Sequence, residues 1–518
     1  MPTTAQMLRT YPQPVLAAIA ELRNAVFDGS EKPDQLLELL AAQLTDPESV
    51  QSAFDEVAEA TPNAQKAIES LLRNGGEMAT PQFTREYGSI RQMGTAKLER
   101  DRPWEMPESI AELLYYHGLI GSGFEGVGPS ARNIVFIPSD VSPWLPAPET
   151  AAVEQGLAVR PVAPPPPSCL LLTDDSFLED AGSLIGFLHS DVLHLTPDGA
   201  KHAEDVQRFL QRLQIPFGQA EDGEDSLTRT YMEIRLDLLL HLAKRLGWLK
   251  LGDESVIELS GNRVRAFLEV ARAEQRQLLW DAWRTSPEWN DLQRTPGLEF
   301  ANQNNWANDP LQARANILQV LAHLAPDGWF SQAAVIQAIQ EAEPDFQRPT
   351  GEYDTWYIRS STTQEYLKGF EQWDAVEGAL LRFYIRGPLH WLGALDLAEP
   401  TSGDDYQLSL SDWGAHWLLE DRPLPADVKP DPLTVGEDFT VTVPYGTPLS
   451  VRFRVERFAQ WQRSEPVYVY RITQRSLQRA LEEQISPEQI LSFLRRNSDP
   501  LPANVDRALS RYGAAHPS

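Results

Sequence analysis

At 518 residues with 42% apolar side chains, the chain is globular and too long for a single core, so three or four domains are expected. Its 45 basic and 74 acidic side chains leave a net charge of -29, which repels phosphate backbones and disfavours indiscriminate nucleic-acid binding by the whole surface. Cys169 is the only cysteine, which excludes an intrachain disulfide and every multi-cysteine zinc or iron–sulfur site; a buried, inert thiol is expected.

The opening MPTTAQMLRTYPQP lacks the charged-then-apolar layout of a signal peptide, and no apolar run reaches membrane-spanning length. A soluble, cytoplasmic protein without membrane contact is therefore expected. Apolar residues at helical spacing predict helices over 14–27, 34–44 and 47–60, which make 1–62 a helical region. From 63 to 157 the pattern becomes a helix (64–74), a Gly75-Gly76 break, a short helix capped by Thr80 ahead of Pro81, a helix over 107–117 and a glycine-rich hairpin returning at 133–137. That order is winged-helix-like.

The proline run within 158–168 predicts an extended, semi-rigid linker. A second winged-helix-like domain is expected over 169–300. It comprises helices at 170–188 and 197–213, an acidic loop at 220–226, a helix at 228–246, a hairpin at 248–259 around Gly252-Asp253, and helices at 262–271 and 273–285. A third, aromatic-rich unit occupies 301–421, with helices at 311–324 and 331–342, a strand at 406–410 and a helix at 412–419. His117-Gly118-Leu119, Leu246-Gly247-Trp248 and Leu392-Gly393-Ala394 each close a helix just before a strand, so the chain reads as degenerate repeats of one unit.

Residues 422–432 form a second proline-rich joint, and 433–518 a small C-terminal α/β domain. Its strands are expected at 438–443, 449–453 and 467–472, and its helices at 476–483, 487–497 and 504–512, with Ser486 and Gln489 as a capping box. The fold class is thus mainly α with small β wings (α+β): tandem winged-helix-like units plus the C-terminal domain.

The stretch from Gly351 to Leu392 concentrates Trp356, Trp373, Trp391 and further aromatics without a catalytic motif, which points to packing. No GxxxxGK[ST] loop exists to hold nucleotide phosphates, and GSGFEGVG follows a helix where a dinucleotide loop would follow a strand. His189, His194 and His202 lack metal-ligand spacing, and Asp174-Asp175 and Asp404-Asp405 read as solvated or capping pairs. No catalytic residue, metal ligand or cofactor is expected, and hence no enzyme.

From Pro448 to Ser518 there are eleven Arg, no Lys and seven Asp or Glu, a local net of +4 against -33 for the remainder. Alternation places Arg452, Arg454 and Arg457 on a strand face, with Arg471, Arg475, Arg479, Arg495 and Arg496 following. The bland reading is a solvated surface; the sharper one is a face that binds nucleic acid or a partner.

Tyr470-Arg471-Ile472-Thr473 leads into Ser476-Leu477 and Ala480-Leu481, then Glu488, Ile490-Leu491 and Phe493-Leu494, then Pro502, Asn504 and Val505. This run resembles the helicase-associated domain described as similar to the N-terminal region of the XPB DNA-repair helicase. Segments upstream to about residue 230 look like bacterial members of the same group. The resemblance implies a non-catalytic accessory protein that binds DNA structure (fork or single-stranded), a separate superfamily 2 helicase, or both. The alternative is a protein–protein scaffold of winged-helix units that never touches nucleic acid.

Overall fold

The computed structural model describes the chain except residues 26–32, 126–131, 147–156, 158, 174, 197–200, 214–225, 253–254, 302–305, 401–402, 404, 427–428, 499 and 516–518. The acidic loop expected at 220–226 and the turn at Asp253 therefore lie outside the described residues, save Ser226. The protein is mainly α-helical with small antiparallel sheets, and its contacts divide it into two units. One comprises 1–155 with 348–356, the other 156–347 with 357–518.

The first unit opens with α1 (Thr4–Leu8), α2 (Gln13–Leu22), α3 (Pro33–Leu44) and α4 (Pro47–Ala60). Next come α5 (Pro62–Arg73), β1 (Glu77–Ala79), α6 (Thr80–Tyr87), α7 (Thr95–Asp101), α8 (Ile110–Tyr116), β2 (Gly121–Glu125) and β3 (Arg132–Phe136). The three strands pair antiparallel in the order β1-β3-β2. Thr80 is the first helical residue and not the cap expected; Ala79 holds the cap position without a side-chain bond.

The second unit repeats this order twice. The first repeat is α9 (Ser176–Ser190), β5 (Leu193–His194), α10 (Ala203–Leu210), α11 (Ser226–Arg245), β6 (Leu249–Leu251) and β7 (Val256–Leu259), after the short strand β4 (Leu170–Leu171). Helices α12 (Gly261–Glu269) and α13 (Arg272–Arg284) and strand β8 (Leu298–Phe300) lead to the next. That repeat has α14 (Pro310–Leu321), β9 (Phe330–Ser331), α15 (Gln332–Ala342), β10 (Ile358–Ser360), α16 (Ala379–Arg386), α17 (Pro388–Trp391), β11 (Leu395–Ala398), β12 (Gln407–Leu410) and α18 (Asp412–Leu418). The sheets are ordered β5-β7-β6 and β9-β12-β11, the latter extended by β4, while β8 pairs only with β10.

Glycine explains the shared corner. Gly118, Gly247 and Gly393 have φ of +68°, +76° and +98°, a region where a side chain is strained. Each turn is closed by the same bond five residues back: Leu119 N to Leu114 O (3.1 Å), Trp248 N to Ala243 O (2.9 Å) and Ala394 N to Leu389 O (2.7 Å).

The proline run is extended, as fixed φ demands, but it is not free. Val162 N donates to Trp329 O at 2.7 Å, and β4 adds an edge strand to β11. Cys169 sits at the start of this edge and is half-exposed, against the buried thiol expected, because one side of an edge strand has no neighbour.

The aromatic stretch is packing. Trp373 and Trp391 are buried, and the Trp373 indole donates to Pro344 O at 2.8 Å. Tyr384, within the same stretch, donates its hydroxyl to Asp291, 1% exposed, which also accepts from the Trp283 and Trp289 indoles and, at 2.7 Å, from Arg314 Nε. Arg314 also donates to the carbonyls of Trp283, Ser286 and Trp289, so none of its charge is stranded. An Arg314→Met variant leaves the Asp291 carboxylate without its counter-charge; a loss of about 3–5 kcal/mol is expected in urea denaturation, whereas a cost near zero would show the pair to be dispensable.

Candidate functional site

The C-terminal domain contains β13 (Thr434–Val435), β14 (Thr440–Val443), α19 (Leu449–Phe458), β15 (Gln460–Arg463), β16 (Tyr468–Arg471), α20 (Gln474–Glu482), α21 (Pro487–Asn497) and α22 (Ala503–Ala515). Its sheet is ordered β13-β14-β16-β15, with a core of Val441, Val455, Phe458, Tyr470 and Leu494. The expected box at α21 is present: the Ser486 hydroxyl accepts from Gln489 N, and the Gln489 side chain accepts from Ser486 N.

The strand expected at 449–453 is instead the first turn of α19. Its buried positions, Leu449, Arg452, Val455, Glu456 and Phe458, follow helical spacing, but two of them are charged. The apolar alternation at 451, 453 and 455 arises because Val451 and Phe453 are half-buried on the flanks of the same helix.

Helix α9 and Arg212, which follows α10, make those two buried charges tolerable. Arg452, 3% exposed, donates to Glu179 Oε2 at 2.5 Å, Glu179 O at 2.7 Å and Ser183 Oγ at 3.1 Å, and its guanidinium lies 4.0 Å from the Tyr468 ring centre. Burial alone would depress this guanidinium, yet Tyr468 and Glu179 hold it above its ordinary value. Glu456 in turn accepts from Arg212 Nη1 at 2.7 Å. Gly182 and Gly186 open the α9 face for this approach: a Cβ at Gly182 would run into Arg452 and Leu449, and one at Gly186 would lie 3.1 Å from the Glu456 carboxyl.

Glu179 also pairs with Arg272 at 2.8 Å, and Asp180 with Arg235 at 2.7 Å. Asp175, which burial would raise, is held below the usual carboxylate range by Arg276 and Arg272. It does hold the N-cap position of α9, as a capping reading expects, but its carboxylate is engaged by these two guanidinium groups and makes no cap bond. Asp405 does cap, accepting from Ala333 N and Ser331 Oγ, while Asp174 and Asp404 lie outside the described residues. His194 is hydrogen-bonded to Asp205 at 2.8 Å, and no cluster of three potential metal ligands forms among the described residues.

The structure therefore sorts the arginines named from the sequence. Arg452 is buried ballast for the interface. Arg479 donates to Glu456 O at 2.7 Å, and Arg457 to Glu483 at 2.9 Å. Arg495 forms a forked pair with Asp506 at 2.8–3.0 Å, and Arg471 reaches Asp438 at 3.9 Å. Arg454, Arg475 and Arg496 are exposed and make no ion pair with a described residue.

Two adjoining clefts open where α19 meets its neighbours. One, of about 550 Å³, lies between α12 and α19 and is lined by Val264, Arg265, Leu268, Phe453, Arg454 and Arg457. The other, of about 300 Å³, shares Arg454 and Arg457 and continues over Phe458, Ile490 and Phe493. Arg265 is exposed and without an ion pair to a described residue; sequence reasoning missed it because α12 lies about 190 residues upstream of Arg454 and carries no local motif.

His189 borders the larger cleft, its Nε2 3.1 Å from Glu483 Oε1. Burial keeps its pKa below the ordinary value; Glu483 and Glu456 pull upward and Arg479 and Arg457 downward.

A family described as "Helicase conserved C-terminal domain" matches residues 433–517, so this segment is similar to a helicase domain. No curated protein matches the chain. Among the described residues no helix is long and apolar enough to cross a membrane.

Two outcomes are expected. Gly182→Val forces α9 and α19 apart; a loss of about 1–3 kcal/mol in urea denaturation, with earlier protease cleavage within 433–518, checks the close approach. On acidification, the unfolded His189 ring takes up a proton near pH 6.5 while the folded ring resists until lower pH. Stability is therefore full above about pH 6.5 and falls below it, and the denaturation midpoint of His189→Gln should drop less than that of the wild type between about pH 7.5 and 5.5.

Proposed function

We propose that this protein is a helicase-associated accessory protein without motor activity. Its C-terminal domain, resembling the XPB N-terminal domain, engages DNA structure (fork or single-stranded), a separate superfamily 2 helicase, or both, in a DNA-repair setting. The observation that carries the reading is the helicase-family match over 433–517, coinciding with a domain whose Arg475 and Arg496 are exposed and make no ion pair with a described residue, in a chain of net charge -29. Unpaired guanidinium groups are the chemistry that holds phosphate oxygens.

The recurrent helix-strand-helix-helix-strand-strand order, with α7 added in the first repeat and β10 and α17 in the third, and with the first strand of each wing sheet always beside the last, supports reading the three repeats as winged helices. The anionic remainder would limit non-specific adhesion to duplex DNA. The absence of a motor is supported by the sequence, which has no phosphate-cradling lysine loop.

Fluorescence anisotropy of labelled fork and single-stranded DNA with the full chain tests this. The double variant Arg475→Ala/Arg496→Ala should bind more weakly and flatten the salt dependence of single-strand binding by about 0.7 log units per lost contact. No binding at low salt, or an unchanged slope, would remove DNA from the reading and leave the scaffold alternative. ATP turnover by the purified chain would overturn the accessory role.

A further inference from the structure

The cleft pair beside α19 forms one groove with Arg454 and Arg457 at its waist. Val264 and Leu268 on one side of the waist, and Phe458 and Ile490 on the other, make its floor apolar. Arg457 is engaged by Glu483, whereas Arg265 and Arg454 stand exposed on the rim without an ion pair to a described residue. Arg265, Arg454 and Arg457 outnumber the two acids of the larger cleft, Glu269 and Glu483, of which Glu483 is taken by Arg457, so the groove carries a local positive charge within a chain of net charge -29.

We propose that this groove is a docking site for an acidic amphipathic helix of a partner protein. The inference rests on the C-terminal domain being an accessory module and names what its Arg454, with Arg265 of α12, holds, leaving the outward Arg475 and Arg496 for DNA. Apolar anchors at i, i+3 or i+4 and i+7 would seat on the two floor patches, and carboxylates on the flank would meet Arg265 and Arg454. The groove is lined mainly by helices α9, α12, α19 and α21, and the strand residue in the lining, Leu259, belongs to β7, which is paired on both sides by β5 and β6, so no free strand edge is offered for an extended peptide to pair with. A nucleic-acid strand fits less well, because its phosphates would be desolvated against apolar side chains with few free cations to pair them. An acidic segment is repelled by most of this chain's surface and attracted here, which gives selectivity of placement.

The experiment selects phage-displayed random peptides of about 16 residues, long enough for four helical turns, on the full chain. The counter-target is the Arg265→Glu/Arg454→Glu variant, whose substitutions are exposed and whose melting temperature is checked against the wild type. Enriched peptides should combine carboxylates with helical apolar spacing, and should bind about tenfold or more weakly to this variant and to Phe453→Ala. Peptides without acidic bias, no enrichment, or equal binding to the variant would overturn the proposal. Oligo-dT that competes for the groove, and loses affinity in the same variant, would also overturn it in favour of DNA. DNA binding governed by Arg475 and Arg496 is read separately by anisotropy, so failure of the groove and failure of the accessory reading are distinguishable.

Discussion

The second unit depends on the burial of Glu179 between two guanidinium groups, Arg272 of α13 and Arg452 of α19. A carboxylate at 2% exposure is tolerable only when its charge is met and its lone pairs are filled, and here Gly446 N supplies a further donor at 3.1 Å. With Asp175 at its N-cap and Asp180 on the helix itself, α9 presents a short row of acids that pairs with α11, α13 and α19 at once. Pairing one helix with three others in this way sets the position of α19 relative to α12. The groove therefore depends on an ionic lock outside its own lining.

Much of the architecture was legible from local chemistry. Helix 47–60 was delimited by Pro47 at the helix start and a helical stripe of apolar residues, and Pro487–Asn497 by its box and proline. The glycine corners at Gly118, Gly247 and Gly393 exposed the repeat even though the surrounding sequences differ, because backbone sign is a constraint that other side chains satisfy poorly. The aromatic segment was readable as packing since rings of that size leave few alternatives.

Helix α19 was not legible, and the reason is physical. Two of its buried positions are Arg452 and Glu456, so the apolar stripe that marks a helix is broken where it faces α9, and the residues left over alternate like a strand. The partners that make the charges acceptable, Glu179 and Arg212, are roughly 270 and 240 residues distant, and nothing local points to them. The same blindness hid Arg265. Sequence proximity grouped the arginines by abundance, whereas three-dimensional pairing separates those consumed by carboxylates from Arg454, Arg475 and Arg496.

The crossed charges that α19 meets, Glu179 on α9 and Arg212 just after α10, amount to a matching code. Arg452 meets a glutamate while Glu456 meets an arginine, over a surface kept low by Gly182 and Gly186. A helicase-type module grafted from this chain onto another body would carry two ions of opposite sign into a contact with nothing to receive them. Its portability among proteins is thus limited to hosts that offer an acid on a bare helix and an arginine from a neighbouring segment, and a search for compatible bodies can begin from that pattern.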